Sequence, residues 1–80
     1  MKQEELDEEA FPIRIYSKAD LAVLYCPDYA MNTAMRNLSV WIRMNKALWS
    51  ELESIGYNPY RRSYMPREVG LIVKYLGAPG

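Results

Sequence analysis

Eighty residues, with ten Lys and Arg against ten Asp and Glu, make one small domain with a thin core, which leaves no room for an internal cofactor cavity. No histidine and a single cysteine, Cys26, exclude a zinc finger, a His-based catalytic site and an intramolecular disulfide. Half of the residues are hydrophobic and only four are glycine, so most of the chain should fold.

The zero net charge hides an uneven distribution. Residues 1–10 set Lys2 against Glu4, Glu5, Asp7, Glu8 and Glu9, for a local −4. From residue 11 onward nine Lys and Arg face five acids, for +4. The pattern predicts a disordered acidic tail over 1–10 and a mildly basic domain over 11–80. The tail reads as a solubilising leader; in a sharper reading it is autoinhibitory and competes with phosphates for the basic face, and both can hold together. No segment approaches the roughly 18 apolar residues of a membrane span, and the acidic start is the opposite of a signal peptide. A cytoplasmic protein without a membrane partner is expected.

Phe11–Tyr16 alternates apolar and polar residues and predicts a short strand, with Arg62–Met65 as its partner. Ser17 followed by Asp20 caps a first helix from Lys18 to about Tyr25, whose inward face would be Leu21, Leu24 and Tyr25 with Ala22 at a close contact. Pro27 ends it and Pro27-Asp28 makes the turn. Cys26 reads as a small buried apolar residue, the alternative being a reactive or dimer-linking thiol.

A second helix starts between Ala30 and Asn32 and runs to about Met44. Met35, Leu38, Trp41 and Ile42 make its core stripe, while Asn32, Thr33, Arg36, Asn37, Val40 and Arg43 face outward. Asn45 caps a third helix, Lys46–Ile55, with Leu48, Leu52 and Ile55 inward and Gly56 at its end. Trp49 lies off that stripe, either closing the core edge or serving as a contact residue. Tyr57–Tyr64 predicts a basic hairpin, and Pro66 opens a last helix with Val69, Ile72, Val73 and Leu76 inward.

The fold class expected is mainly α with a small sheet: about four helices plus a two- or three-stranded antiparallel sheet, in a winged helix-turn-helix-like layout. No converging carboxylates, activated nucleophile, P-loop, dinucleotide fingerprint or metal-ligand spacing is present, so an enzyme is not expected, and neither is a cofactor, a metal or a small-molecule substrate.

Two groups point to double-stranded DNA. Thr33, Arg36, Asn37, Val40 and Arg43 share one helical face and are residue types that read bases or hold phosphates; otherwise they form a solvated face. Arg61 and Arg62 lie between Tyr60 and Tyr64 near a proline turn, where a wing follows phosphates; otherwise Tyr57 and Tyr64 pack on the core and the arginines keep an edge strand soluble. The basic surplus is small, so specific recognition calls for a homodimer or a larger complex. The alternative is a protein–protein adaptor using Trp49, Tyr57 and Tyr60 as an aromatic patch. A third reading is a structural subunit of a mobile-element or phage assembly.

From Ile13 to Pro79 the chain resembles a family of small domain-of-unknown-function proteins from Bacteroides-type gut bacteria. The resemblance rests on Arg14, Tyr16, Lys18, Asp20, Leu21 and Ala22 at the start, and on Tyr25, Pro27 and Asp28 at the turn. It continues through Ala34, Arg36, Leu38, Trp41 and Ile42, through Gly56-Tyr57, and through Pro66, Arg67, Val69, Ile72, Val73, Tyr75, Leu76 and Gly77. The family carries no activity to transfer. Its layout is also similar to MerR-type and excisionase-type winged helices, which would place Thr33, Arg36, Asn37 and Val40 in the major groove and Arg61 and Arg62 on the wing. Two positions depart from those regulators: the turn Cys26–Ala30 is longer, and Met65 stands where Ser or Thr would cap the last helix.

Overall fold

In the computed structural model, which describes residues 11–79, the elements follow as β1 (Tyr16–Ser17), α1 (Lys18–Tyr25), α2 (Met31–Met44), α3 (Lys46–Ser54), β2 (Ser63–Tyr64) and α4 (Pro66–Leu76). The protein is mainly helical with a small two-stranded antiparallel sheet. The acidic segment 1–10 lies outside the described residues.

Local chemistry accounts for the helix ends. Ser17 Oγ accepts the Asp20 N–H at 2.9 Å and opens α1; Asn45 Oδ1 accepts the Leu48 N–H at 3.0 Å and opens α3. Gly56 and Gly77 take φ of 80° and 86° just beyond α3 and α4, a conformation that a Cβ would strain. Met65 has no capping oxygen. Glu68 replaces it by reaching back to accept the Met65 N–H at 2.8 Å, the second half of a capping box.

The core joins all four helices and both strands: Tyr16, Leu21, Ala22, Cys26, Ala34, Leu38, Ile42, Leu48, Leu52, Tyr64, Val69 and Ile72 are buried. Cys26 is a free, buried thiol, as its apolar reading expects. Ala22 of α1 and Ala34 of α2 are both fully buried. Small residues on both helices favour close packing of their backbones, and Ala34 marks the buried side of α2. Its core line becomes Ala34, Leu38 and Ile42, with Met35 half-buried at the flank.

Three expectations are corrected. Trp41 and Leu24 are not core residues but exposed, at 42% and 43%, because α2 buries the line Ala34, Leu38 and Ile42, which leaves Trp41 on the flank, and α1 buries only Leu21 and Ala22. The Phe11–Tyr16 strand shrinks to Tyr16–Ser17. Phe11 instead folds back to stack on Tyr16 at 5.2 Å, and the Tyr16 hydroxyl donates to Pro12 O at 3.0 Å. The Tyr57–Tyr64 hairpin does not form: Asn58 O accepts the Arg61 N–H at 3.1 Å and its Oδ1 accepts the Tyr60 N–H at 2.9 Å, closing a turn. The outgoing Ser63–Tyr64 pairs with β1, not with Tyr57–Asn58, with Tyr16 opposite Tyr64 and Ser17 opposite Ser63.

Leu38 is fully buried at the centre of α2. Leu38→Ala should lower the unfolding free energy by about 3 kcal/mol through lost burial and a cavity, read as a fall in the urea midpoint at constant m-value.

Candidate nucleic-acid interface

The outer face of α2 carries no carboxylate, and none occurs from Tyr29 to Ser50. Thr33, Arg36, Val40 and Arg43 are exposed on it and Asn37 is half-buried. Arg36, Ser39 and Arg43 fall at i, i+3 and i+7 and share one edge of the helix. Ser39 and Arg43 of that edge line a cleft with Tyr57 and Pro59 of the turn Tyr57–Arg62, which is also free of acids.

Lys18, the first residue of α1, lies between the two. Its backbone N–H donates to Arg62 O at 2.9 Å and its ammonium donates to Pro59 O at 2.7 Å. The ammonium also lies 5.1 Å from the Tyr57 ring and 5.3 Å from the Tyr64 ring, and those two rings stack at 6.2 Å. Burial pushes the Lys18 pKa down, Glu68 opposes that shift, and Arg61 adds to it. A cleft of about 70 Å³ is lined by Lys18, Ser39, Arg43, Trp49, Tyr57 and their neighbours. A wider groove of about 440 Å³ is lined by Lys18, Met35, Tyr60, Arg61, Arg62 and their neighbours. Because Lys18 lines both and Met35, Ser39 and Arg43 descend one edge of α2, Arg43 and Arg62 border a continuous surface.

Arg61 is differently engaged. Its Nη2 pairs with Glu68 Oε2 at 2.5 Å, and the Glu68 side chain is 5% exposed against 35% for Arg61. The carboxylate therefore serves twice, holding the turn through Arg61 and the start of α4 through Met65. Arg61 Nε is buried with no hydrogen-bond partner among the described residues. Trp49 and Tyr57 are half-buried and meet edge to face at 5.9 Å, so Trp49 closes the core edge, with the Arg43 guanidinium 5.4 Å over its ring.

Sequence reading missed Lys18 and Glu68 as organisers of this surface. Glu68 was visible in principle, at the capping-box position three residues after Met65. Lys18 gave no signal, since only the β1–β2 pairing brings it to the turn.

Removing Arg61 would leave a buried carboxylate without its cation. Arg61→Ala should lower stability by about 2 kcal/mol, less than for a fully buried pair because the arginine is partly solvated, whereas exposed Arg36→Ala should change it by less than about 0.5 kcal/mol in the same urea titration. Burial also raises the Tyr25 hydroxyl to about 12 from its ordinary 10.0 and raises Tyr57 and Tyr64. These folded-state values exceed the unfolded ones, so their stabilising contribution is intact below pH 10 and is lost as pH rises through the folded values. The melting temperature should fall between pH 10 and about 12, and Tyr25→Phe should reduce that fall in a thermal scan across the same range.

Among the described residues no helix is long and apolar enough to cross a membrane. No curated protein and no solved structure matches the chain. Residues 12–79, nearly the span over which the sequence resemblance runs, match one family across every element of the fold, and the chain therefore belongs to the family described as Domain of unknown function (DUF4248).

Proposed function

We propose that the protein is a small non-enzymatic DNA-binding protein, regulatory or accessory in role, with a winged helix-turn-helix-like layout. In this reading α1, the turn Cys26–Ala30 and α2 form the helix-turn-helix, and the turn Tyr57–Arg62 stands where a wing would. The observation that carries it is the surface, free of acids among the described residues, on which the edge of α2 and this turn meet over Lys18. Arg36, Arg43, Arg62 and Lys18 hold phosphates of double-stranded DNA, Thr33 and Asn37 face bases, and Val40 offers an apolar contact for a thymine methyl. Arg61 anchors the turn to α4 through Glu68 and contributes charge from its exposed part.

A second reading has its own observation. Val40, Trp41 and Met44 are exposed on adjacent positions of α2, Met44 at 75%, which suits a protein–protein adaptor. Of the aromatic patch expected from Trp49, Tyr57 and Tyr60, Tyr60 is exposed, while Trp49 and Tyr57 are half-buried against each other.

Salt separates the readings. Four phosphate contacts imply a slope of log affinity against log salt of about −3.6 on duplex DNA, while an apolar interface responds far less. Fluorescence anisotropy of the full chain on a mixed-sequence duplex should show that slope. Arg36→Ala and Arg62→Ala should each reduce its magnitude by about 0.9. Absence of binding at about 50 mM salt would overturn the DNA reading and leave the adaptor.

A further inference from the structure

Tyr60 is 92% exposed, so core packing does not explain its ring. The turn that carries it is nevertheless held by several hydrogen bonds. Asn58 accepts N–H bonds from both Tyr60 and Arg61, and Pro59 between them has a ring-locked φ. Pro59 O in turn receives the Lys18 ammonium at 2.7 Å. An aromatic side chain presented on a fixed turn loses little further freedom when it stacks on a ligand.

The same ring borders the groove of about 440 Å³ whose other walls include Met35, Lys18 and Arg62. Among the described residues Lys18 donates one of its three N–H groups, and no carboxylate of these residues lines the groove. Apolar and aromatic walls with a cationic rim fit a flat, uncharged ring attached to a negatively charged backbone. Bases inside a duplex have both faces covered by their neighbours; an unpaired base does not.

We infer that this groove is a subsite for one unstacked nucleobase, with Tyr60 stacking on the base, Met35 behind it, and Lys18 and Arg62 holding the adjoining phosphate. The inference rests on the DNA reading and narrows it: the preferred target carries a bulged or locally opened nucleotide. Tyr60 becomes the residue that distinguishes such DNA from a perfect duplex.

The test uses the full chain and three duplexes of one sequence: fully paired, with a single bulged base, and with an abasic bulge that keeps the extra phosphate but removes the ring. The bulged base should bind about tenfold more tightly than the abasic bulge, and the Tyr60 ring protons should shift upfield in NMR spectra of that complex alone. Tyr60→Phe should retain the preference and Tyr60→Ala should abolish it, while affinity for the paired duplex changes less than about twofold. Equal affinity for the base and abasic bulges overturns the subsite. So does a Tyr60→Ala effect confined to self-association, which would place a second copy in the groove. Salt-sensitive binding to all three duplexes alike removes the subsite and leaves the DNA reading standing; no binding to any of them removes both.

Discussion

The antiparallel bridge of Tyr16 with Tyr64 joins the start of the fold to the segment before its last helix, and the rest of the structure is arranged by it. It is only two residues a side, too short to be stable alone. Both tyrosines are buried, and their rings carry much of the interaction energy: Phe11 stacks on one and Tyr57 on the other. Since Ser17 of β1 is also the cap of α1, the bridge fixes the position and direction of that helix together with the strand. Lys18 follows at once and is thereby delivered to the carbonyls of Pro59 and Arg62.

The other end of the same segment is secured by a buried charge. Glu68 stands at the positive end of α4, accepts the Met65 N–H and holds Arg61. A carboxylate at 3% exposure would be costly alone, and its two charge-assisted partners offset that cost. The turn Tyr57–Arg62 is thus pinned by Lys18 on one side and by Glu68 on the other. It is rigid without being a hairpin, and Tyr60 projects from a fixed base.

Charge is segregated by the same arrangement. Glu68 is internal, and Glu51 accepts a hydrogen bond from the Tyr75 hydroxyl of α4, which raises the Tyr75 pKa. Arg36, Arg43 and Arg62 remain exposed, Arg43 at the cleft and Arg62 at the wider groove. Because residues 11–80 carry a surplus of four positive charges, a chain with zero net charge can present a cationic face, and location counts for more than total.

Helix boundaries were legible in the sequence: Ser17, Asn45 and Pro66 mark helix starts to the residue, Pro27 and the two positive-φ glycines mark ends, and the order of the helices follows. These signals act within one turn of backbone, so they survive without knowledge of the fold. Family membership was legible for the same reason, as a linear pattern of such residues. Helix rotation and the fate of the turn were not. Trp41 and Ile42 read alike as apolar positions at helical spacing, and only the packing of the line Ala34, Leu38 and Ile42 into the core decided that Ile42 is buried and Trp41 exposed. Arg61 and Arg62 read as an equivalent pair, and only the return of α4 beside the turn gave Arg61 a buried carboxylate, while Arg62 stays exposed at the groove that both line. Tertiary structure decided these points because each depends on which distant residue arrives next to a side chain, and chain connectivity carries that information only after the core has packed.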